Sequence, residues 1–120
     1  MDPHALGRLS EEIAAKHLES EGFEILQRNF RIRRGEIDLI AQRGEVLYFC
    51  EVKGRRGQRF GHPREAVSFA QRRRVNLAAR VFLARSSRQW SELGFCLVTV
   101  SWHRGLATVK VIPQAFDGEP

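Results

Sequence analysis

The chain has 120 residues, of which 42% are hydrophobic and 28% charged, and its 20 Lys and Arg residues outnumber its 14 Asp and Glu residues. A chain of this length and composition is expected to form one soluble globular domain over residues 1–120. No apolar run is long enough to span a bilayer, and the first residues lack the basic head and apolar stretch of a secretory signal. We therefore expect a cytoplasmic protein without a membrane partner.

Cysteine and histidine give no sign of a disulfide framework or a zinc site. Cys50 and Cys96 lie inside apolar runs and form no Cys-x-x-Cys pair, so we expect both to be small buried hydrophobic residues. The four histidines show no metal-ligand spacing.

Arginine supplies nearly all of the positive charge, and the net charge is +6. Its guanidinium group suits bidentate contact with phosphate. An anionic polymer, with DNA as the first choice, is the expected partner. The arginines expected to bind nucleic acid are Arg33, Arg34, Arg55, Arg56, Arg59, Arg72 and Arg73.

The first predicted element is a helix with Asp2 as its cap, Pro3 at its first position and Gly22 as its stop. Its apolar residues recur with helical spacing. Glu11 falls at the margin of the apolar arc, whereas Glu12 points away from it. Glu11 can therefore face whatever the helix packs on, and a rim carboxylate on a solvated helix is the alternative.

A strand is predicted next over residues 23–28, followed by a basic segment over residues 29–34. Two further strands, over residues 35–41 and 46–53, are joined by a tight turn that contains glycine. This central hairpin carries the acidic residues that are expected to lie close to one another.

The length of the hairpin loop decides which side chains share a face. A two-residue loop at Arg43-Gly44, or a four-residue loop over residues 43–46, pairs even positions with odd ones, whereas a three-residue loop does not. Two-residue loops are the commonest, so we expect an even loop. An even loop places four polar residues on one face: Glu36, Asp38, Glu51 and Lys53.

Crowded carboxylates on one face repel one another unless a cation neutralises them. A hard divalent ion with oxygen ligands would do so. The alternative is an ordinary hairpin in which Glu51 and Lys53 form a surface ion pair of little energetic value.

Residues 54–62 are rich in glycine and arginine and are expected to form a loop. A long helix is predicted from Pro63 to about Arg85. Gln71 falls inside its apolar arc, so its amide is expected to point at a polar site under the helix or to extend to the helix rim. The polar residues placed outside this arc are Arg72, Arg73, Asn76 and Arg80.

The last predicted elements are a buried strand over residues 95–100, a turn over 103–105 and a strand over 107–111. The resulting order, α-β-β-β-α-β-β, predicts an α/β fold with a central mixed sheet flanked by helices.

Four motifs resemble a known family: Gly7-x-x-x-Glu11-x-x-Ala14, Gly22-Phe23-x-Ile25-Leu26-x-Arg28-Asn29, Gly35-Glu36-Ile37-Asp38-Leu39-Ile40-Ala41 and Phe49-Cys50-Glu51-Val52-Lys53-x-Arg55. Together with the later Gly61-x-Pro63-x-Glu65-Ala66-Val67 and Ala115-Phe116, they resemble the YraN-like family of small bacterial proteins over nearly the whole chain. That family is similar to the PD-(D/E)XK nuclease superfamily and, within it, to archaeal Holliday-junction resolvases. The resemblance implies a restriction-endonuclease-like core.

The resemblance also implies roles for individual residues. Asp38 and Glu51 would bind Mg²⁺ or Mn²⁺ together with the backbone carbonyl of Val52, and Glu11 would complete the metal site. The same two carboxylates would take part in catalysis with Lys53, which would position or polarise the attacking water.

Two positions depart from the family pattern. Gln71 stands where the family usually has lysine, although glutamine serves at the comparable place in some related nucleases, so Gln71 is kept as a catalytic candidate. Gly94-Phe95-Cys96 stands where the family usually has Arg-Phe-Asp. Neither departure touches the acidic cluster, so both concern substrate contacts.

The leading hypothesis is a metal-dependent DNA endonuclease that acts on branched or otherwise structured DNA. The alternative is a non-catalytic nucleic-acid-binding module with a degenerate nuclease site. A third hypothesis is a protein-interaction domain with an ion-pair network on its sheet. Analogy with resolvases also suggests a homodimer.

Overall fold

The structure, a computed structural model, describes residues 2–57 and 67–115. These residues form two helices and one five-stranded sheet, in the α/β order predicted from the sequence. The elements are α1 (Pro3–Ser20), β1 (Glu24–Ile32), β2 (Gly35–Arg43), β3 (Val46–Arg56), α2 (Phe69–Arg85), β4 (Glu92–His103) and β5 (Leu106–Ile112).

The strands follow one another across the sheet in chain order, from β1 at one edge to β5 at the other. Neighbouring strands are antiparallel except for β3 and β4, which are parallel because the chain crosses over through α2 between them. The sheet is therefore mixed.

In the described part of the chain, no helix is long and apolar enough to cross a membrane.

The ends of α1 follow the prediction. The side chain of Asp2 accepts a hydrogen bond from Ala5 N–H at 2.8 Å, and Pro3 occupies the first helical position. Past the last turn, Gly22 has φ +90°, a left-handed conformation that glycine adopts without a steric penalty.

The predicted start of α2 at Pro63 is wrong. The helix begins at Phe69, and Pro63 lies outside the described residues. Ser68 and Gln71 form a reciprocal capping box, in which the Ser68 hydroxyl accepts Gln71 N–H and the Gln71 side chain accepts Ser68 N–H. This pair satisfies two amide donors that a helix start otherwise leaves free, which fixes the first turn at Phe69.

Each face of the sheet is covered by one helix. On one face Val75 and Ala78 of α2 are buried in one cluster with Ile37 and Phe49 of the sheet. On the other face, Ala14 and Leu18 of α1 are buried with Leu39, Cys50, Cys96 and Val98. The two cysteines are free, buried and adjacent in register on β3 and β4, as predicted.

All five strands extend beyond their predicted limits. β1 runs to Ile32, so most of the basic segment over residues 29–34 belongs to a strand and only Arg33 and Arg34 turn. β3 runs to Arg56, so the loop predicted from residue 54 begins later. The hairpin loop is Gly44-Glu45, one residue beyond the predicted Arg43-Gly44, and it has the expected even length.

The sheet divides between β2 and β3. Their paired residues end at Leu39 and Cys50. Beyond this point β2 continues along β1 to Gly35, and β3 continues along β4 to Arg56. We call this division of the sheet the fork, and its open end is the end at which β2 starts and β3 finishes.

The alternation of side chains also switches at the fork. Ile37 packs in the α2 layer, whereas Leu39, two residues later, packs in the α1 layer. Asn29, which lies across from Asp38 in the register of β1 and β2, has φ +52°. The register of β1 and β2 shifts once, between Ile25 and Gln27. The shared face predicted for Glu36 and Asp38 assumed strict alternation over residues 35–41, and the packing of Ile37 and Leu39 in different layers shows that this assumption is wrong.

Candidate active site

Asp38 and Glu51 lie at the inner end of the fork, where the backbone ladder between β2 and β3 stops. Asp38 Oδ2 accepts the Val52 N–H at 2.8 Å. In return, the Asp38 backbone N–H donates to the Glu51 carboxylate. The two side chains thus accept hydrogen bonds from backbone N–H groups that would pair across β2 and β3 if their hydrogen-bond ladder continued. The Glu51 side chain is buried, with only 7% of its surface exposed.

The electrostatics of this pair are unusual for carboxylates. Burial raises the pKa of Asp38 to about 6, and the charges of Glu11 and Glu36 add to the increase. Burial raises the pKa of Glu51 to about 8, with further increases from Asp38 and Glu36. Lys53 lowers the pKa of both residues because its ammonium group favours their ionised forms. A perturbed cluster of this kind is typical of functional sites.

Glu11 is the carboxylate that α1 directs toward the fork, as its position on the helix predicted. Burial raises the pKa of Glu11, and a hydrogen bond from the Asn29 side chain partly opposes that increase. Glu12 instead pairs with Arg28, whose Nη1 lies 2.8 Å from Glu12 Oε2, and is 4.0 Å from Lys16.

Glu36 is balanced by two arginines from different elements. Its carboxylate lies 3.4 Å from Arg31 Nε on β1 and 3.3 Å from Arg74 Nη2 on α2. The alternation of β2 switches between Ile37 and Leu39, so the strand has no single regular face over residues 36–40. The charges nevertheless act on one another at the fork, where the sheet no longer separates its two faces.

Glycine at position 54 brings α1 close to β3. A Cβ at Gly54 would collide with Ser10, the residue before Glu11. Any larger residue would push α1 away from the sheet and carry Glu11 with it. Lys53, the neighbour of Gly54, is half-buried on the same strand as Glu51.

Several observations bear on a metal ion. Glu51 Oε1 is buried and has no hydrogen-bond partner among the described residues. A buried carboxylate oxygen without a donor is costly unless it is protonated or faces a cation. Within residues 2–57 and 67–115, no three His, Cys, Asp or Glu side chains are grouped so that they could hold a metal ion. A metal at the fork would therefore be held by fewer than three side chains, and backbone, water or phosphate oxygens would have to supply its other ligands.

Gln71 does not point at the acidic cluster. Its Oε1 accepts the Ser68 N–H at 3.2 Å, so the side chain belongs to the cap of α2. The expectation that its amide lies at a polar site under the helix is wrong. The capping box of Ser-x-x-Gln offers this side chain a partner closer in the chain.

The buried face of α2 is rotated from the predicted arc. Asn76 is only 7% exposed, and both its Nδ2 and the Nε of Arg72 are buried without a partner in the described part of the chain. Both residues were predicted to lie outside the buried arc. That arc had been drawn with Val67, which the structure places before the helix.

The described arginines from the predicted set lie at the open end of the fork. Arg33 and Arg34 form the turn before β2, and Arg55 and Arg56 finish β3. The N-terminal part of α2 lies at the same end, because the Arg74 carbonyl packs on Gly35. Arg72 and Arg73 belong to this part of α2, and Arg59 lies outside the described residues.

A groove of about 450 Å³ lies between α1 and β1 and contains Glu11 in its wall. Its other walls include Gly7 and Arg8 of α1 and Asn29 and Arg31 of β1. We call it the α1 groove. Arg8 and Arg31 in these walls do not belong to the predicted set of DNA-binding arginines, and Asn29 belongs to a family motif without a predicted role.

The part of the chain that matches a known protein family includes Glu11 and the fork. The model of "Uncharacterised protein family UPF0102" matches residues 10–100, which run from Glu11 through the fork to β4. A UPF0102 protein of Rhodococcus opacus (strain B4) is 49% identical over 96 residues, which cover 80% of this chain and 81% of that protein. A UPF0102 protein of Symbiobacterium thermophilum is 47% identical over 112 residues, covering 92% and 95%.

Proposed function

The chain belongs to the protein family UPF0102, the YraN-like family indicated by its motifs, and we propose that it is a metal-dependent DNA endonuclease. The observation that carries this proposal is the pair of buried, mutually repelling carboxylates, Asp38 and Glu51, at the inner end of the fork. In a stable fold such a pair calls for a proton or a cation. Its position at a division of the sheet gives a substrate access from the open end.

The donors at the fork suit a hard divalent cation. Asp38 and Glu51 would be the side-chain ligands and the Val52 carbonyl would be a third ligand, while Glu11 would act on the site from α1 through its charge. Mg²⁺ commonly binds one or two carboxylates and keeps positions for water and phosphate oxygens, which fits a site with fewer than three grouped side-chain ligands. When bound, Mg²⁺ or Mn²⁺ would supply an activated water and neutralise charge on the phosphate.

Lys53 is proposed as the catalytic cation of the chain itself. Its ammonium group lowers the pKa of Asp38 and of Glu51, so it lies close enough to the fork to interact electrostatically with both carboxylates. There it would hold the attacking water and stabilise the charge that develops on the phosphate oxygens in the transition state.

The arginines would hold the DNA backbone. Arginines of the turn before β2, of the end of β3 and of the first turns of α2 lie around the open end of the fork. They form a basic rim around the acidic side chains at the inner end of the fork. Such a rim attracts a polyanion, while the acidic centre would accept it only with a cation bound. Branched DNA as the substrate, and a homodimer as the assembly, follow from the resemblance to resolvases and belong to the proposal.

The second candidate function is a non-catalytic nucleic-acid-binding module. One observation favours it: Gln71, which stands where the family usually has lysine, is bound in the helix cap and makes no contribution at the fork. Under this alternative the basic rim would bind DNA and the carboxylates would be a degenerate site.

Cleavage assays on branched, flapped, single-stranded and linear duplex DNA with Mg²⁺ or Mn²⁺ separate the two candidates. We expect the wild type to cut at least one substrate, and Asp38→Asn to cut none. Glu12→Gln is the matched control, because Glu12 is the neighbouring α1 carboxylate that pairs with Arg28 away from the fork. A wild type that binds every substrate and cuts none would overturn the endonuclease proposal and support the binding module.

A further inference from the structure

A second concave site lies on the other flank of α1 from the α1 groove. It has a volume of about 360 Å³ and is lined by Leu6, Arg56, Trp102, Arg104 and Gly105. We call it the Trp102 pocket. It is formed where the N-terminal half of α1 meets the ends of β3 and β4 and the turn between β4 and β5.

The pocket is linked to the fork by direct contacts. Trp102 Nε1 donates to Ser10 Oγ at 3.5 Å, and Ser10 precedes Glu11 in α1. Ser10 also packs on Gly54, the residue after Lys53. The pocket and the fork are therefore neighbours at the same end of the sheet, with the first turns of α1 between the pocket and the α1 groove.

The walls combine an indole, an aliphatic side chain and two guanidinium groups. A nucleobase stacks on an aromatic ring, and its attached phosphate pairs with arginine, which is the combination that binds single-stranded nucleic acid. An apolar peptide would use the indole and Leu6 and would gain nothing from Arg56 and Arg104. Charge complementarity thus favours a nucleotide over an apolar partner.

We propose that the Trp102 pocket binds an unpaired nucleobase of the DNA strand whose backbone passes the fork. A base inside a duplex is stacked on both sides and has no free face for the indole, so only an unpaired base can enter. The inference rests on the proposed function and deepens it. The preferred substrate carries unpaired nucleotides beside the bond that is cut, as at a flap, a gap or a branch point.

The two tryptophans of the chain allow a direct optical test. Trp90 lies at the opposite end of the sheet, where its Nε1 donates to Gln42 and the Arg88 guanidinium lies 5.5 Å from its ring. In the variant Trp90→Phe the remaining indole fluorescence therefore reports on the Trp102 pocket. The probes are an oligothymidylate and a blunt duplex of equal length, titrated with Ca²⁺ present so that the DNA is not cut.

We expect the oligothymidylate to quench this fluorescence at a concentration on the order of tenfold lower than the duplex, the scale of one base stacked on an aromatic ring. Arg104→Gln should weaken oligothymidylate binding while leaving the indole in place. Arg88→Gln, which removes an arginine beside the other tryptophan, should leave binding unchanged.

Equal quenching by duplex and oligothymidylate would overturn the inference, and so would binding of oligothymidylate without quenching. Trp102→Leu serves as a second variant, with its folding verified by circular dichroism. It should lose the preference for unpaired DNA, and an unchanged preference in the folded variant would also contradict the inference. If quenching occurs but the wild type cuts no DNA, the pocket inference stands and the endonuclease proposal fails.

Discussion

At the scale of single residues, the carboxylates of Asp38 and Glu51 repel each other when both are ionised, and a bound cation would offset this repulsion. Burial moves the pKa of Asp38 from 3.8 to about 6 and that of Glu51 from 4.5 to about 8. The native state therefore binds protons more tightly than the unfolded chain in this range. Because the unfolded chain holds fewer protons there, the free energy of unfolding contributed by the pair falls as pH rises.

We expect the metal-free protein to lose stability between about pH 4 and pH 8 through this pair, in steps that follow the two raised pKa values. Urea unfolding at several pH values should show a smaller loss in Asp38→Asn, whose amide oxygen can still accept the Val52 N–H. Saturating Mn²⁺ should restore stability to the wild type at pH 8 and do little for the variant. A variant with the same pH dependence as the wild type would show that the fork carboxylates are not the source.

Gly7 gives a second prediction at this scale, in which stability and function change in opposite directions. A Cβ at Gly7 would meet nothing within 4 Å, and the residue lines the α1 groove one turn before Glu11. Glycine inside a helix costs about 0.5–1 kcal/mol relative to alanine. Gly7→Ala should therefore raise the melting temperature, and if DNA occupies the α1 groove as well as the fork, the new methyl group should weaken its binding. A rise in stability with unchanged DNA affinity would show that the groove does not receive the DNA.

At the scale of elements, the periodicity of apolar residues and the length of the hairpin loop gave the correct predictions, because both depend on local sequence. The helical position of Glu11 and the even length of the hairpin loop were correct for this reason. The switch of alternation between Ile37 and Leu39 coincides with the end of the β2–β3 pairing, which depends on contacts between strands and not on the local sequence of β2. The length of β3 likewise depends on pairing with β4, which comes later in the chain.

The start of α2 shows a conflict between two local patterns. Pro63 fits the preference for proline at the first helical position, whereas Ser68-x-x-Gln71 is the sequence pattern of a capping box, and the capping box sets the helix start. A helix start at Pro63 displaced the buried arc and with it the polar site expected under Gln71, whereas the catalytic role of Gln71 followed from the family resemblance. The capping pattern was visible in the sequence, so this error was avoidable.

Substitutions of Gln71 can separate its capping role from a catalytic one. Gln71→Ala should cost about 1 kcal/mol of unfolding free energy because it removes half of the capping box, whereas Gln71→Glu preserves the pattern and should cost little. Neither change should slow DNA cleavage when the protein is folded. Should Gln71→Glu keep its stability but lose cleavage, Gln71 would belong to the active site after all.

At the scale of the whole molecule, charge is arranged for a polyanion. The net charge is +6, and the turn before β2, the end of β3 and the first turns of α2 bring arginines to one end of the sheet. The acidic fork opens at that same end. Composition alone predicts an anionic partner, whereas the strand register and the packing of α2 on Gly35 show that separate arginine clusters lie at one end of the sheet.

DNA binding should therefore depend steeply on salt and little on sequence, since phosphate contacts release counterions. Replacing Arg33 and Arg34 together by Gln should lower the slope of log affinity against log salt by about two. The control replaces Arg43 and Arg88, which lie at the hairpin-loop end of the sheet, and should leave the slope unchanged. Equal slopes for the two double variants would place the DNA elsewhere on the surface.

The most direct test of the proposed catalytic fork is the single-turnover rate of DNA cleavage at saturating Mn²⁺, measured for the wild type, Glu51→Gln and Lys53→Ala. We expect Glu51→Gln to abolish cleavage because it removes a buried ligand charge. Lys53→Ala should slow cleavage by on the order of a hundredfold, the scale of one preorganised electrostatic group, while DNA affinity in Ca²⁺ stays unchanged. Cleavage by Glu51→Gln at the wild-type rate would contradict a catalytic role for the fork.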